Sequence, residues 1–461
     1  MSTKGSDSLP EMITFFKKVS SATFEQSVFS RLLKYGKIVV RVRDSVFGSK
    51  NLRQGLQDYF TPKDTALFAP ALHTQLMSSG TRVAVTSAKD GGKTACLIAS
   101  YNHSSSTESS ACLEREEDAN KDMKIWEAAM ATSAAPYYLP AFEKPELGTS
   151  YVDGAVWANC PAEVAYHEME KLWPGDTGTL DALVSLGTGM QDAKPAEMPA
   201  LVNLGFLATL RAMFQRQMDS KATWFNFVTQ SAPPHVRPRL YRLDPPIRGG
   251  DDPVRLYDYE MIPDLQERVE AWTSSTAQAE IALVADTLVA NLFFFEPDDD
   301  IQDQPSVLLS DRTNDVLCGT IRCRLGHQTP QLVQLLELVD GFAFTQLDAA
   351  VGDANLVERV QQLPPGHWEP IRMAVREGPI PRRASALDMM VVNDPHAHVH
   401  GAVGHAVPKF RVPYTVVVRK GSLGPLVLGV KLYRRDKRIP ISGFPVTMAE
   451  LKRRAGQKWL R

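Results

Sequence analysis

The chain has 461 residues, of which 44% are hydrophobic and 23% charged, and its formal charge is −2. That is ordinary globular material with no global attraction to nucleic acid. The five cysteines Cys96, Cys112, Cys160, Cys318 and Cys323 are scattered and form no CxxC pair, which argues for a reducing compartment and against a disulfide frame or zinc site.

Residues from Ser8 to about Tyr35 read as helices: Pro10 suits a first helical turn, and Met12, Phe15, Phe16 and Val19 recur at helical spacing. A second helix is predicted over Ser49 to Tyr59, ahead of Pro62. Arg82 to Ser87 and Ala95 to Ala99 are apolar runs separated by Asp90-Gly91-Gly92, so the pair reads as a hairpin. Asn102 to Asp122, with its serine cluster, reads as a surface loop. Ile125 to Ala135 is a helix built mostly of alanine, ended by Pro136, and its small side chains let a neighbouring backbone lie close. Tyr151-Val152 is a short strand. Pro161 opens a helix over Ala162 to Leu172, and Ala182 to Leu186 has the continuous apolar character of a buried strand. This order predicts a βαβ unit between 151 and 187, and hence an α/β layer fold.

After Gly189 the pattern changes. Met190 to Pro199 is linker-like, Leu201 to Phe227 is an amphipathic helical region, and Leu240 to Leu243 is a strand. One long helix is predicted from Leu265 to Val289; its charges Glu267, Arg268, Glu270, Glu280 and Asp286 exclude a membrane span. A different module begins at Leu292, with a strand to Phe295 and an acidic turn over Glu296 to Asp300. That turn lacks the spaced Asp pattern, glycine and distal Glu of a calcium loop. An exposed strand from Leu317 to Arg324 follows, then a helix from Leu332 to Leu338. Tyr414 to Arg419 and Leu426 to Leu432 are predicted to form a hairpin, and Thr447 to Arg454 a closing helix. The expected division is residues 1–190, a helical connection over 191–291, and a β-rich C-terminal domain over 292–461.

The chemistry centres on Tyr151-Val152-Asp153-Gly154-Ala155. An Asp at the end of a short apolar strand, followed by Gly, presents a carboxylate, although capping a turn is its commonest use. The neighbouring blocks give it more meaning. They are Trp126 to Pro136 (WEAAMATSAAP), Tyr151 to Ala155 (YVDGA), Asn159-Cys160-Pro161, and Leu183 to Gly189 (LVSLGTG). Taken in that order, they resemble the patatin-like phospholipase family, and the likeness covers about residues 9 to 190. The resemblance implies an incomplete three-layer α/β domain of the FabD/lysophospholipase-like type and a lipid acyl hydrolase working through a Ser–Asp dyad. It carries the proton acceptor onto Asp153, with Gly154, Ala155 and Asn159 as supporting motif positions. In such a dyad the carboxylate takes the proton of a serine hydroxyl that is otherwise a poor nucleophile, and N–H donors hold the oxyanion.

The chain departs from that pattern in one respect. No Gly-x-Ser-x-Gly occurs in the 461 residues, and no glycine-rich oxyanion loop precedes residue 80. Lys420-Gly421-Ser422-Leu423-Gly424 has Lys where the first Gly belongs, and it joins strand to strand rather than strand to helix; Ser422 is read as a turn residue. Ser133 and Ser185 stand in family blocks but are not the family nucleophile. Leu9 to Phe29 resembles the helix that follows the elbow, so the expectation is a chain that starts just past the catalytic serine. Such a chain is a truncated gene model or a fragment of an active enzyme, the reading preferred because the Asp153 blocks are intact. The alternative is a protein that has lost catalysis and kept a lipid- or protein-binding, regulatory role. A sheet without its first and elbow strands should also leave an exposed edge and uncovered apolar surface.

The expected substrate is a lipid or phospholipid acyl ester, with no cofactor, no metal and no nucleic acid. His396, His398 and His400 alternate near His405 and Asp394, but Pro395, Gly401 and Gly404 mark a loop rather than a metal site. The last 31 residues hold ten Lys and Arg against Asp436 and Glu450, a basic end suited to peripheral contact with an anionic membrane or, more simply, to solvent. No leader pattern is present at the N-terminus, so a cytoplasmic location is expected.

Overall fold

The computed structural model describes residues 9–25, 45, 47–60, 82–101, 112–114, 121–136, 138–173, 180–189, 220–247, 254, 257–297, 314–325, 330–347, 360, 362–364, 367–371, 410–419, 421–422, 424–433 and 437–455. The chain divides into two compact units. The first comprises Met1–Pro174, Leu186–Ser231 and Leu243–Thr276; the second comprises Gly175–Ser185, Ala232–Arg242 and Ala277–Arg461. The whole is an α/β fold with a β-rich C-terminal part.

In the first unit, helices α1 (Leu9–Phe24) and α2 (Lys50–Phe60) pair, with Phe15 stacked on Tyr59 at 3.9 Å between ring centroids. The predicted hairpin is present: β1 (Ala84–Lys89) runs antiparallel to β2 (Thr94–Ala99), and its turn carries positive φ at Asp90, Gly91 and Gly92. Strands β3 (Cys112–Glu114), β4 (Phe142–Lys144) and β5 (Thr149–Asp153) complete a sheet of order β3-β2-β1-β5-β4. Helix α3 (Ile125–Thr132) packs on β1 and β5, and buries Ala128, Ala131 and the following Ala134. Its alanines do what small side chains allow, bringing helix and sheet backbones close. Around them Cys96, Ile98, Met123, Met130, Phe142 and Tyr151 form the core of this unit. Each large apolar side chain so buried is worth roughly 1.5–3 kcal/mol.

Two buried carboxylates of this unit, Glu127 and Glu168, are paired, which offsets their desolvation cost. Lys144 Nζ lies 2.8 Å from Glu127 Oε2, both side chains almost wholly buried, and the backbone N–H of Lys124 donates to the same carboxylate oxygen at 2.8 Å. One buried ion pair thus staples the start of α3 to β4. Helices α4 (Ala155–Ala158) and α5 (Ala162–Leu172) follow β5. On α5, Glu168 accepts the Tyr101 hydroxyl at 3.0 Å and Lys171 Nζ at 2.7 Å. Helix α6 (Ser220–Asn226) runs on into a π-helical turn over Phe227–Ser231, and α7 (Ile262–Ser274) closes the unit.

The second unit contains most of β6 (Leu183–Leu186) and β7 (Leu240–Leu243), which pair with each other, together with α8 (Gln278–Ala290). Two further sheets make its bulk. One has the order β12-β9-β8, from β8 (Phe293–Pro297), β9 (Asn314–Cys323) and β12 (Arg411–Arg419). The other has the order β11-β10-β13-β14, from β10 (Val339–Gln346), β11 (Glu369–Pro370), β13 (Leu426–Leu432) and β14 (Arg438–Pro440). Helices α9 (Pro330–Glu337) and α10 (Met448–Ala455) complete it, and residues of both sheets and both helices share one core that includes Phe293, Ile321, Leu335, Val416, Leu428 and Leu451. Asp181 ties an early segment into this unit: its carboxylate accepts the Ser442 hydroxyl at 2.6 Å and the Gly443 N–H at 2.9 Å, while Arg324 donates to Ser442 Oγ at 2.7 Å.

Five expectations are corrected. Strands β5 and β6 do not share a sheet, so 151–187 is not a βαβ unit; β5 runs antiparallel to β1 and β4, and β6 pairs with β7. The apolar run that suggested a covered strand is only partly covered, and Leu186 is 73% exposed. The single helix over 265–289 is two helices, because Thr273, Ser274 and Ser275 turn their hydroxyls back onto the carbonyls of Glu270 and Ala271 and end α7. Strand β9 is not an exposed strand but the centre of its sheet, with Leu317 and Ile321 buried. Finally, β12 and β13 are not a hairpin. Strand β13, whose five consecutive residues Leu426 to Val430 are buried on both faces, pairs with β10 and β14, whereas β12 pairs with β9.

On α1, Leu9, Met12 and Phe16 are 68%, 52% and 62% exposed. Among the described residues no helix is long and apolar enough to cross a membrane, and no group of three or more potential metal ligands is found. The predicted helical stretch 201–219, the acidic residues 298–300 and the histidines at 396, 398, 400 and 405, with Asp394, lie outside the described residues.

Candidate active site

Asp153 is the last residue of β5, directly across the ladder from Ser87 of β1. Two hydrogen bonds set it. Its N–H turns to the carbonyl of Ala134, just past the end of α3, at 3.0 Å, and its Oδ1 accepts the Ala155 N–H at 2.8 Å. Among the described residues Oδ2 carries no hydrogen bond. Burial pushes the carboxyl above its ordinary range, and the Ala155 N–H offsets part of that rise. A half-buried carboxylate with one unengaged oxygen and raised basicity is equipped to accept a proton.

The turn after Asp153 admits only glycine. A Cβ on Gly154 would overlap both the hydroxyl and the carbonyl of Thr86. This contact drives β1 against the start of α4, a helix of a single turn whose Trp157 and Ala158 N–H groups both reach the Gly154 carbonyl, at 3.1 and 2.9 Å. Asn159 ends that turn as its C-terminal cap residue, and Cys160 beyond it is buried.

Hydroxyls and an indole bind the backbone on either side. Thr132, the last residue of α3, donates to the Thr86 carbonyl at 2.7 Å; Ser87 donates to the Val152 carbonyl at 2.8 Å; Trp157 Nε1 donates to the Ser87 carbonyl at 2.7 Å. Sequence reasoning missed Thr86, Ser87, Thr132 and Trp157. Their one signal was the Thr-Ser pair closing an otherwise apolar strand.

No serine of the sequence-level set is paired with Asp153 among the described residues. Ser133 caps the C-terminus of α3, the Ser185 hydroxyl accepts from Arg242 at 2.7 Å, and the Ser422 hydroxyl is held by Gln346 in the turn after β12. Ser87 faces Asp153 across the ladder, but it is fully buried and its hydroxyl is spent on a carbonyl. The Leu183–Gly189 block wraps a second carboxylate: the Gly189 N–H donates to Asp244 Oδ1 at 2.9 Å, and Gly189 holds φ +110, a conformation that glycine adopts without strain.

Residues 7–166 match the family model for patatin-like phospholipase. This segment is similar to the patatin-like phospholipase family. Patatin-like phospholipase 1 of Plasmodium falciparum is 30% identical over 217 residues, covering 39% of this chain and 31% of that protein. Phospholipase A I of Arabidopsis thaliana is 46% identical over 66 residues, 14% of this chain and 5% of that protein. The calcium-independent phospholipase A2-gamma of Mus musculus is 42% identical over 71 residues, 15% of this chain and 8% of that protein. The chain therefore spans less than a third of the length of these patatin-like and phospholipase relatives. Outside the patatin-like segment, residues 316–456 match a domain of unknown function, DUF8392, which lies within the second unit.

Proposed function

We propose that the first unit is the base-bearing part of a patatin-like lipid acyl hydrolase, with Asp153 as the proton acceptor of a Ser–Asp dyad acting on a lipid or phospholipid acyl ester. The observation that carries this reading is the state of Asp153: it stands at a strand end, with Oδ1 fixed by Ala155, Oδ2 unengaged among the described residues and the carboxyl raised by burial. The three relatives named above are phospholipases by name. The chemistry would be acyl transfer, in which a serine hydroxyl attacks the ester carbonyl and gives its proton to Asp153.

The sequence holds no Gly-x-Ser-x-Gly, so these 461 residues alone should not hydrolyse esters through that dyad. Treatment of the purified chain with a fluorophosphonate probe tests this. The expected outcome is no stoichiometric serine adduct. Labelling at a single serine, lost in Asp153→Asn, would mean that the chain carries its own nucleophile.

A further inference from the structure

The Asp153 carboxylate is held by one N–H, that of Ala155, and Ala155 belongs to a helix only four residues long. A single turn is marginal by itself, because nucleation fixes several dihedrals for very few hydrogen bonds. Something outside the turn must hold it, and Trp157 is a side chain placed to do so. Trp157 leaves the third position of α4 and reaches back to the Ser87 carbonyl at 2.7 Å. Ser87 is the residue that faces Asp153 across the β1–β5 ladder. Since the Asp153 N–H turns to Ala134, the end of this ladder has a strand carbonyl to offer, and the indole takes it.

On this geometry, and resting on the reading of Asp153 as the base, we infer that Trp157 is the positioning residue of the site: its indole N–H anchors α4 to β1 and thereby keeps the Ala155 N–H on Asp153. The other ties act on different parts. Thr132 holds Thr86 from the α3 side, and Ser87 holds Val152 within the ladder; neither touches α4. Gly154 permits the close approach of β1 but donates nothing from a side chain. Trp157 alone among these links the far side of the Asp153–Gly154 turn to the sheet. It does not reach the Asp153 carboxylate itself, so its effect must pass through Ala155.

A bond to the charged form of a carboxylate lowers its pKa, so losing the Ala155 N–H must raise the titration of Asp153 further. The test follows the Asp153 side-chain carbon by NMR through a pH titration of the full chain, as wild type and as Trp157→Phe. Trp126→Phe, a change on α3, serves as the control. The expected result is an upward move of the Asp153 midpoint by about half a pH unit or more in Trp157→Phe alone. An unmoved midpoint in a folded Trp157→Phe chain overturns the proposal, as does an equal move in the control. Should Trp157→Phe not fold, a benzothienylalanine at position 157 keeps the bicyclic shape and removes only the N–H, with the same two outcomes. Because the titration needs no ester turnover, failure of the hydrolase reading leaves it intact, and an unmoved midpoint sinks the positioning role by itself.

Discussion

At the scale of single residues, Asp153 is a carboxylate kept where burial opposes its charge, and this has a thermodynamic sign. Its folded pKa lies above the unfolded value of about 3.9, so between those two values the folded chain binds the proton that the unfolded chain has released. Stability therefore falls as pH rises through that window and stays lowered above it. Asp153→Asn keeps an oxygen for the Ala155 N–H while removing the charge. It is expected to melt higher than wild type at pH 7, with the difference shrinking to nothing below about pH 4. Thermal melts of both proteins across that range check it; an equal or lower melting temperature at pH 7 would contradict the assignment of burial as the dominant cause. Asp153, Gly154 and Ala155 were legible because their chemistry is local: a strand end, a residue without Cβ and the next N–H. Thr132 and Trp157 were not, since each looks like an ordinary helix residue until its acceptor is known. Those acceptors are backbone carbonyls 46 and 70 residues away in sequence.

At the scale of elements, α3 holds the site twice, through Thr132 on β1 and through the Ala134 carbonyl on Asp153, and its own footing is the Glu127–Lys144 pair. Breaking a buried ion pair from one side leaves an uncompensated charge, a loss of about 3–5 kcal/mol. Lys144→Met is accordingly expected to lose roughly that much stability in urea unfolding, whereas the double change Lys144→Met with Glu127→Leu should recover much of it. A single variant as stable as wild type would show that the pair does not fasten the helix. Periodicity found this helix, its neighbours and the β1–β2 hairpin, because helical and strand repeats are written into consecutive residues. It failed on partnership. The sequence of β12 and β13 is what a hairpin would have, yet β13 pairs with β10 and β14 and β12 pairs with β9. The three successive hydroxyl residues that divide α7 from α8 were legible in principle, since Ser and Thr bond back to their own helix.

At the scale of the whole molecule, the second unit is not a contiguous piece of chain. The DUF8392 match covers 316–456, yet the unit also takes in Gly175–Ser185 and Ala232–Arg242. Asp181 is the fastening for the first of these, with bonds to Ser442 and Gly443. Removing the carboxylate in Asp181→Ala should free the Gly443 amide, so its hydrogen exchange is expected to speed up by about tenfold or more, while the amides of β13 keep their protection. Unchanged exchange at Gly443 would mean that the loop is held by other contacts. Such an arrangement could not be read from the sequence, because composition and periodicity carry no record of which distant segment completes a sheet or loop.

The same fastening bears on the order in which the chain assembles. The Asp181–Gly443 contact closes a loop of 262 residues, and a chain must surrender the freedom of such a loop before the contact gives anything back. The β1–β2 hairpin and the α1–α2 pair close over a few tens of residues and need wait for nothing. As the chain leaves the ribosome, the residues around Asp153 are complete long before Gly443 has been made. Strand β6 can pair with β7 once residue 243 has been made, but the carboxylate of Asp181 must wait for Ser442 and Gly443 through the synthesis of nearly two hundred further residues.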